Sequence, residues 1–312
     1  MTDSSQTQIA YVKETTYGVT PASPTFKKFR TTNIPSLAPN NQFITSDEIR
    51  SDRNVPNVVA SGQSVAFDLP IEFSYGSFDD LLQAFMGNTW TGNVLKNGTA
   101  LTSFSFENKF VTNGGLRYDR AKGVMVNTMA LSLSANGKAT GSFGVMGQKS
   151  DSASAALASS TYADPATTDF FTANDNFAIT LGGVGTISVM SVSLSGTNNL
   201  RMIPVVGSKY TDGMGLGRFE VTGSLQTYFK DSALYDAYLA AIAAGTYFAL
   251  TLSFNDPVTG KYDILLPKVK LTSSSKPGGA NNADVMASFD FSAVVDTTAG
   301  CAMQITRTPV TP

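Results

Sequence analysis

The sequence predicts a mostly β fold built from two like units, each carrying one short flanking α-helix. Three observations predict it: period-two alternation of apolar side chains, a strand-then-helix unit that occurs twice, and a hairpin pattern after each helix. Val65, Phe67, Leu69, Ile71 and Phe73 alternate with Ser64, Ala66, Asp68, Pro70 and Glu72. Successive side chains of a strand point to opposite faces, so this segment reads as a strand with one face buried. Pro70 has no N–H for a ladder bond, which argues for an edge or a bulge at that point. Phe78, Leu81, Leu82 and Phe85 then fall at helical spacing. Ser77 is the expected N-cap, Asp79 and Asp80 suit the positive end of the helix dipole, and Gly87 can end the helix.

The unit returns in the second half. Val221, Gly223, Leu225 and Phe229 mark a strand; Ser232, Leu234, Tyr235, Tyr238 and Ile242 mark a helix ending at Gly245. The offset 221 − 65 = 156 holds for Val65/Val221, Leu69/Leu225, Phe73/Phe229, Asp80/Asp236 and Ala84/Ala240, and it is half of 312. Val124 to Ser134 and Ala139 to Met146 flank Asn136-Gly137, a type I′ turn signal. Tyr262 to Leu271 and Val285 to Val294 flank the Gly-rich Lys276 to Asn282, and Ser142-Phe143 matches Ser288-Phe289. The expected organisation is a first unit over 1–149, a Ser/Ala/Thr-rich linker or loop over 150–168, and a second unit over 169–312.

Composition narrows the function. A chain of 312 residues can bury a sizeable core, and a formal charge of −2 offers no basic excess for gripping a nucleic-acid backbone. Histidine is absent, so the commonest general base and metal ligand are missing. Cys301 is the single cysteine, which excludes an intramolecular disulfide framework and a Cys-rich zinc site; it reads as a packed thiol. No apolar run approaches the ~18 residues of a membrane span, and Met1 to Gln6 carries no secretory pattern. The expectation is a protein made in a cytoplasm, with no membrane partner, that stays soluble until it assembles.

Chemistry is hard to find. Gly182-Gly183-Val184-Gly185 and Gly213-Met214-Gly215-Leu216-Gly217 lack the Lys-Ser/Thr of a phosphate loop and lead into strands, so both read as turns or loops. Asn97-Gly98-Thr99 reads as a turn. No catalytic residue, cofactor or metal is expected. Two segments remain as interaction candidates. Lys27-Lys28-Phe29-Arg30 is a small basic cluster whose plain reading is a solvated strand edge. Ile44 to Pro56 packs both signs of charge densely into a charge-poor chain. Asp47, Glu48, Arg50, Asp52 and Arg53 are the expected inter-subunit or inter-ring contacts, because mixed charges set register and orientation.

Glu14-Thr15-Thr16-Tyr17-Gly18-Val19-Thr20-Pro21, followed by Ser46 to Arg53, resembles the N-terminal pattern of the tail tube proteins (major tail proteins) of long, flexible-tailed phages. Gly62 leading into an alternating strand, then Ser77-Phe78-Asp79-Asp80-Leu81-Leu82, continues the likeness, which is strongest over residues 9 to 90. The resemblance implies tail-tube-type β-sandwich or barrel units, self-assembled into stacked rings that form a hollow tube in the virion tail. It further implies a tape-measure protein in the lumen before ejection, and phage DNA passing through during it. Two fused copies would need three chains for a pseudo-sixfold ring; a single tube domain with insertions would need six. The rival readings are a capsid-decorating or head–tail joining protein, and a carbohydrate- or receptor-binding β-sandwich. The second is poorly served by one tryptophan, Trp90, just past the first helix.

Overall fold

The computed structural model describes residues 6–310 apart from 168, 174–176, 230–232, 276, 277, 279, 280 and 283. Ser232 and part of the Lys276–Asn282 loop therefore lie outside the described residues. The strands run β1 (Gln8–Lys13), β2 (Thr25–Lys28), β3 (Asn40–Thr45), β4 (Val58–Glu72), β5 (Val94–Lys96), β6 (Phe104–Thr112), β7 (Gly115–Ser134), β8 (Thr140–Gly147), β9 (Lys149–Ala153) and β10 (Thr161–Ala163). They continue as β11 (Ala178–Leu181), β12 (Gly185–Ile187), β13 (Val189–Thr197), β14 (Arg201–Ile203), β15 (Gly213–Gly215), β16 (Glu220–Tyr228), β17 (Phe248–Asp256), β18 (Gly260–Ser275), β19 (Met286–Ala293) and β20 (Gln304–Pro309). Helix α1 (Asp79–Met86) follows β4 and α2 (Ala233–Ala244) follows β16. The fold is mostly β, as the alternation predicts.

One pairing order occurs twice. In the first half β4 pairs β8, β8 pairs β7 and β7 pairs β6, all antiparallel. In the second half β16 pairs β19, β19 pairs β18 and β18 pairs β17, also antiparallel. Val65 faces Gly147 as Val221 faces Ala293. The register shifts recur in the same places: Val126/Thr128 on β7 corresponds to Leu271/Ser273 on β18, an offset of 271 − 126 = 145. Phe104/Phe106 on β6 likewise corresponds to Phe248/Leu250 on β17. A bulge bends its strand and strengthens the twist. Across these shifts β7 passes from pairing β6 to pairing β8, and β18 from pairing β17 to pairing β19.

The halves meet through β13, which pairs β7 on one edge and β16 on the other, and through β20, which pairs β5. One large apolar core runs through both halves, from Tyr11, Phe29 and Phe106 to Phe254, Tyr262 and Phe289. The rings of Phe73, Phe171, Phe254 and Tyr262 meet with centroids 5.3–6.1 Å apart, edge, tilted and stacked contacts that add to area burial.

Several local expectations change. Ser77 does not cap α1: Phe78 holds the N-cap position with no side-chain cap bond, and the buried Ser77 hydroxyl has no hydrogen-bond partner among the described residues. The helix start is sunk in the core, and the Phe78 ring between Phe73, Phe29 and Phe143 fixes it. Gly87 does end α1, in the left-handed region at φ 59°. Asp79 and Asp80 do more than answer the dipole. Asp80 accepts from Tyr11 Oη (3.1 Å) and Lys27 Nζ (2.6 Å), while Asp79 accepts from Arg307 and Tyr262. Burial, then the neighbouring carboxylates, pushes both phenols well above their ordinary range. The Asn136-Gly137 turn is not type I′: Asn136 has φ 61° but Gly137 is not at positive φ, and the bond closing the turn runs from Gly137 N to Ser134 O, 2.9 Å.

Residues 150–168 are not a bare linker. β9 pairs β7, and β10 pairs β2 in parallel. A buried ion pair, Arg120 Nε to Glu107 Oε2 at 2.6 Å, holds this stretch. Arg120 also donates to Ala155 O (2.8 Å), and Tyr162 Oη donates to Glu107 Oε1 (2.5 Å). Burial and that bond push the Tyr162 phenol up to about 12. The basic cluster is not a strand edge either, since Lys27 faces Tyr11 of β1 on one side and Ala163 of β10 on the other. Gly213–Gly215, expected as a turn, is strand β15, paired with β14. Gly182 to Gly185 does make the turn between β11 and β12.

Candidate assembly surface

Pro70 sits where it does no harm. On β4 the stretch Val65–Glu72 is paired by β8 along one edge. On the other, the Pro70 carbonyl accepts from Thr32 N (3.1 Å) and Thr31 Oγ1 (2.7 Å), with no strand ladder among the described residues. The edge predicted from the proline is present. From Thr32 the chain passes Pro35 and Pro39, which cannot donate, and reaches Asn40, which faces Ser64. Leu37 is buried along the way, and Pro35 O accepts from Asn108 Nδ2 at 2.7 Å.

Beyond Ser64 the β3–β4 hairpin leaves the body as an arm. Every residue of β3 is exposed, and so are Val58–Ala60 of β4. Phe43 is 62 %, Ile44 64 % and Ile49 99 % exposed, with Val55, Val58 and Val59 also bare. A two-stranded hairpin is marginal alone, and a bare apolar patch on a folded chain marks a contact surface.

All five charged residues singled out from the sequence lie on the tip of this arm, between Thr45 and Val58, and all are exposed. The structure brings Arg50 and Asp52 together: Nε and Nη2 of Arg50 each stand 3.1 Å from a carboxylate oxygen of Asp52. Arg50, then the Asn54 amide, holds the Asp52 carboxyl below the usual carboxylate range. Asp47, Glu48 and Arg53 form no ion pair among the described residues. Arg53 has φ 60°, a left-handed turn within the tip. Charge density singled out the tip; the apolar flanks were missed, although Ile44, Ile49 and Val55 stand among the same charges and Phe43 just before them.

A second projection lies at the base of the arm. The β14–β15 ribbon exposes Ile203 and, in the segment joining its two strands, Val205 and Val206, the last fully. Gln63 N donates to Lys209 O (2.9 Å), Tyr17 Oη bonds Thr211 Oγ1 (3.3 Å) and Gln148 Nε2 donates to Thr211 O (2.6 Å), tying ribbon and arm base together.

One sheet face is different in kind. The side of β7, β13, β16 and β19 turned from the core carries Ser132, Ser193, Ser195, Ser224, Ser288 and Asp290. Ser193 and Ser224 bond across it at 2.8 Å, and Ser132 bonds Thr140 at 3.0 Å. Small hydroxyls satisfied by one another make a smooth polar wall with little charge.

A family model described as phage tail tube protein matches residues 4–293. The chain belongs to the phage tail tube protein family. No curated protein matches it. As a tail tube protein it is a structural component of the virion tail that associates with copies of itself. No helix among the described residues is long and apolar enough to cross a membrane.

Proposed function

We propose that the chain closes into rings, that the rings stack into the hollow tail tube, and that phage DNA passes through the lumen. The observation that carries this reading is the arm: a long hairpin with apolar side chains bare on both strands, which gains its burial only from neighbouring copies. The charges at its tip would set register between protomers or rings. The hydroxyl face is the natural lumen wall, because few cations stand on it to hold a phosphate backbone. Before ejection the lumen would hold a tape-measure protein. The chemistry such a tube needs is mechanical, with no catalysis.

The repeated pairing order and bulges support two fused tube units, over 1–149 and 169–312, and so three chains in a pseudo-sixfold ring; closed cyclic symmetry fits that count. Negative-stain images and light scattering of purified protein test the tube: rings or tubes should form as concentration rises, and a strict monomer at millimolar concentration would reject it. Class averages down the axis test the count, since six identical chains per ring would reject the trimer.

A further inference from the structure

Within the chain, the outer edge of β7 is taken by β13, with Thr128 facing Thr197 and Ala130 facing Ser195. The corresponding edge of β18 is empty: Leu271 to Ser275 pair β19 on one side, and no described strand lies on the other. Position matches position here. By the shared bulge, Thr128, Met129 and Ala130 correspond to Ser273, Ser274 and Ser275. At the other end of the chain a lane corresponding to β13 also exists. Asn40 faces Ser64 as Thr197 faces Glu220, so Leu37, Ala38 and Asn41 stand for Leu194, Ser195 and Asn198, an offset of 197 − 40 = 157. Leu37 and Leu194 are both buried, and Ala38 and Ser195 are both exposed.

We propose that the edge of β18 from Thr272 to Ser275 pairs with Ala38–Asn41 of a second copy of this chain, repeating between chains the β7–β13 seam found within one. The inference rests on the ring reading and names the strands that close the ring.

The helices bear on it independently. At the internal seam Asn198 inserts its amide: its N donates to Asn127 O (2.8 Å) and its Nδ2 to Phe85 O of α1 (2.9 Å). Gly196 leaves room for the Phe85 ring, which a Cβ there would meet at 2.4 Å. With the strand–helix offset of 156, the carbonyl corresponding to Phe85 O is Ala241 O of α2, and in this protomer Lys270 Nζ reaches it at 3.0 Å. Asn41 of the next copy would take over that acceptor. α1, covered by the seam, buries Met86 to 1 %, whereas its counterpart Ile242 on α2 is 52 % exposed, with Leu239 bare beside it. The second seam is weaker by design of its residues: Pro39 stands where Gly196 does and cannot donate, so the ladder has one main-chain bond fewer. A weaker seam suits a contact that must stay open until assembly.

The test is a cysteine pair. Ala38→Cys with Ser275→Cys, oxidised after assembly, should give a ladder of covalent oligomers on a non-reducing gel, absent from either single variant. The wild type, whose only thiol is the buried Cys301, is the blank. Ala130→Cys with Ser195→Cys is the internal control and should close within one chain before assembly. Normal tubes and a closed control, with no covalent oligomer from the first pair, would overturn the seam and leave the tube standing. A wild type that never forms rings would overturn both. Ser274→Pro supplies a second reading, because its counterpart Met129 faces the seam strand at Gly196. It should leave the circular dichroism of the protomer unchanged and abolish rings; normal rings from it would count against the seam.

Discussion

The hairpin β13–β16 is held on both flanks, by β7 and by β19, and its apolar side chains Val192, Leu194, Val221 and Leu225 are buried. The hairpin β3–β4 also precedes a short helix, and β8 pairs the inner part of β4 as β19 pairs β16. Its far end is nevertheless bare, with Phe43 and Ile44 more than half exposed. Side chains of similar character thus do opposite work. In one hairpin they build the core, and in the other they stand bare. The difference lies in neighbours: β13 has β7 from the other half of its own chain, whereas β3 has no second strand among the described residues. A chain that made its core complete everywhere would have nothing left with which to polymerise.

The sharpest way to break this comparison is to remove the arm. Replacing residues 46–57 with Asn-Gly should abolish tubes and leave the thermal unfolding of the protomer unchanged within error; unfolding of the variant would mean the arm belongs to the core after all. Next comes a matched pair of truncations. Leu194→Ala should destabilise the protomer by about 2–5 kcal/mol in urea unfolding, as a buried leucine does. Ile44→Ala should cost the protomer about 0.5 kcal/mol or less and raise the concentration needed for tubes. Equal losses of stability at the two sites would erase the distinction drawn here. The smallest effect per contact is the charge reversal at the tip. Arg50→Glu with Arg53→Glu should leave the protomer folded and block polymerisation; each exposed pair is worth about 1 kcal/mol at most, and repetition round a ring multiplies it. Normal tubes from this double variant, by electron microscopy, would reject the role of the tip.

The sequence by itself determined what depends on local order. Alternation from Val65 to Phe73 named the face that is buried, Gly87 and Gly245 marked the helix ends, and Pro70 marked an edge. The charged tip was legible as an unusual patch, and the family was legible in the ordered set of residues 9 to 90. Tertiary structure decided the rest. Strand neighbours are chosen by main-chain groups that are nearly identical at every residue, so alternation says which face is inside and not which strand lies alongside. That is why the basic Lys27–Arg30 stretch proved to be flanked by β1 and β10, and why residues 150–168 proved to be tied down through Arg120, Glu107 and Tyr162. For the same reason no local pattern could reveal that β7 has its neighbour within the chain while the matching edge of β18 has none among the described residues.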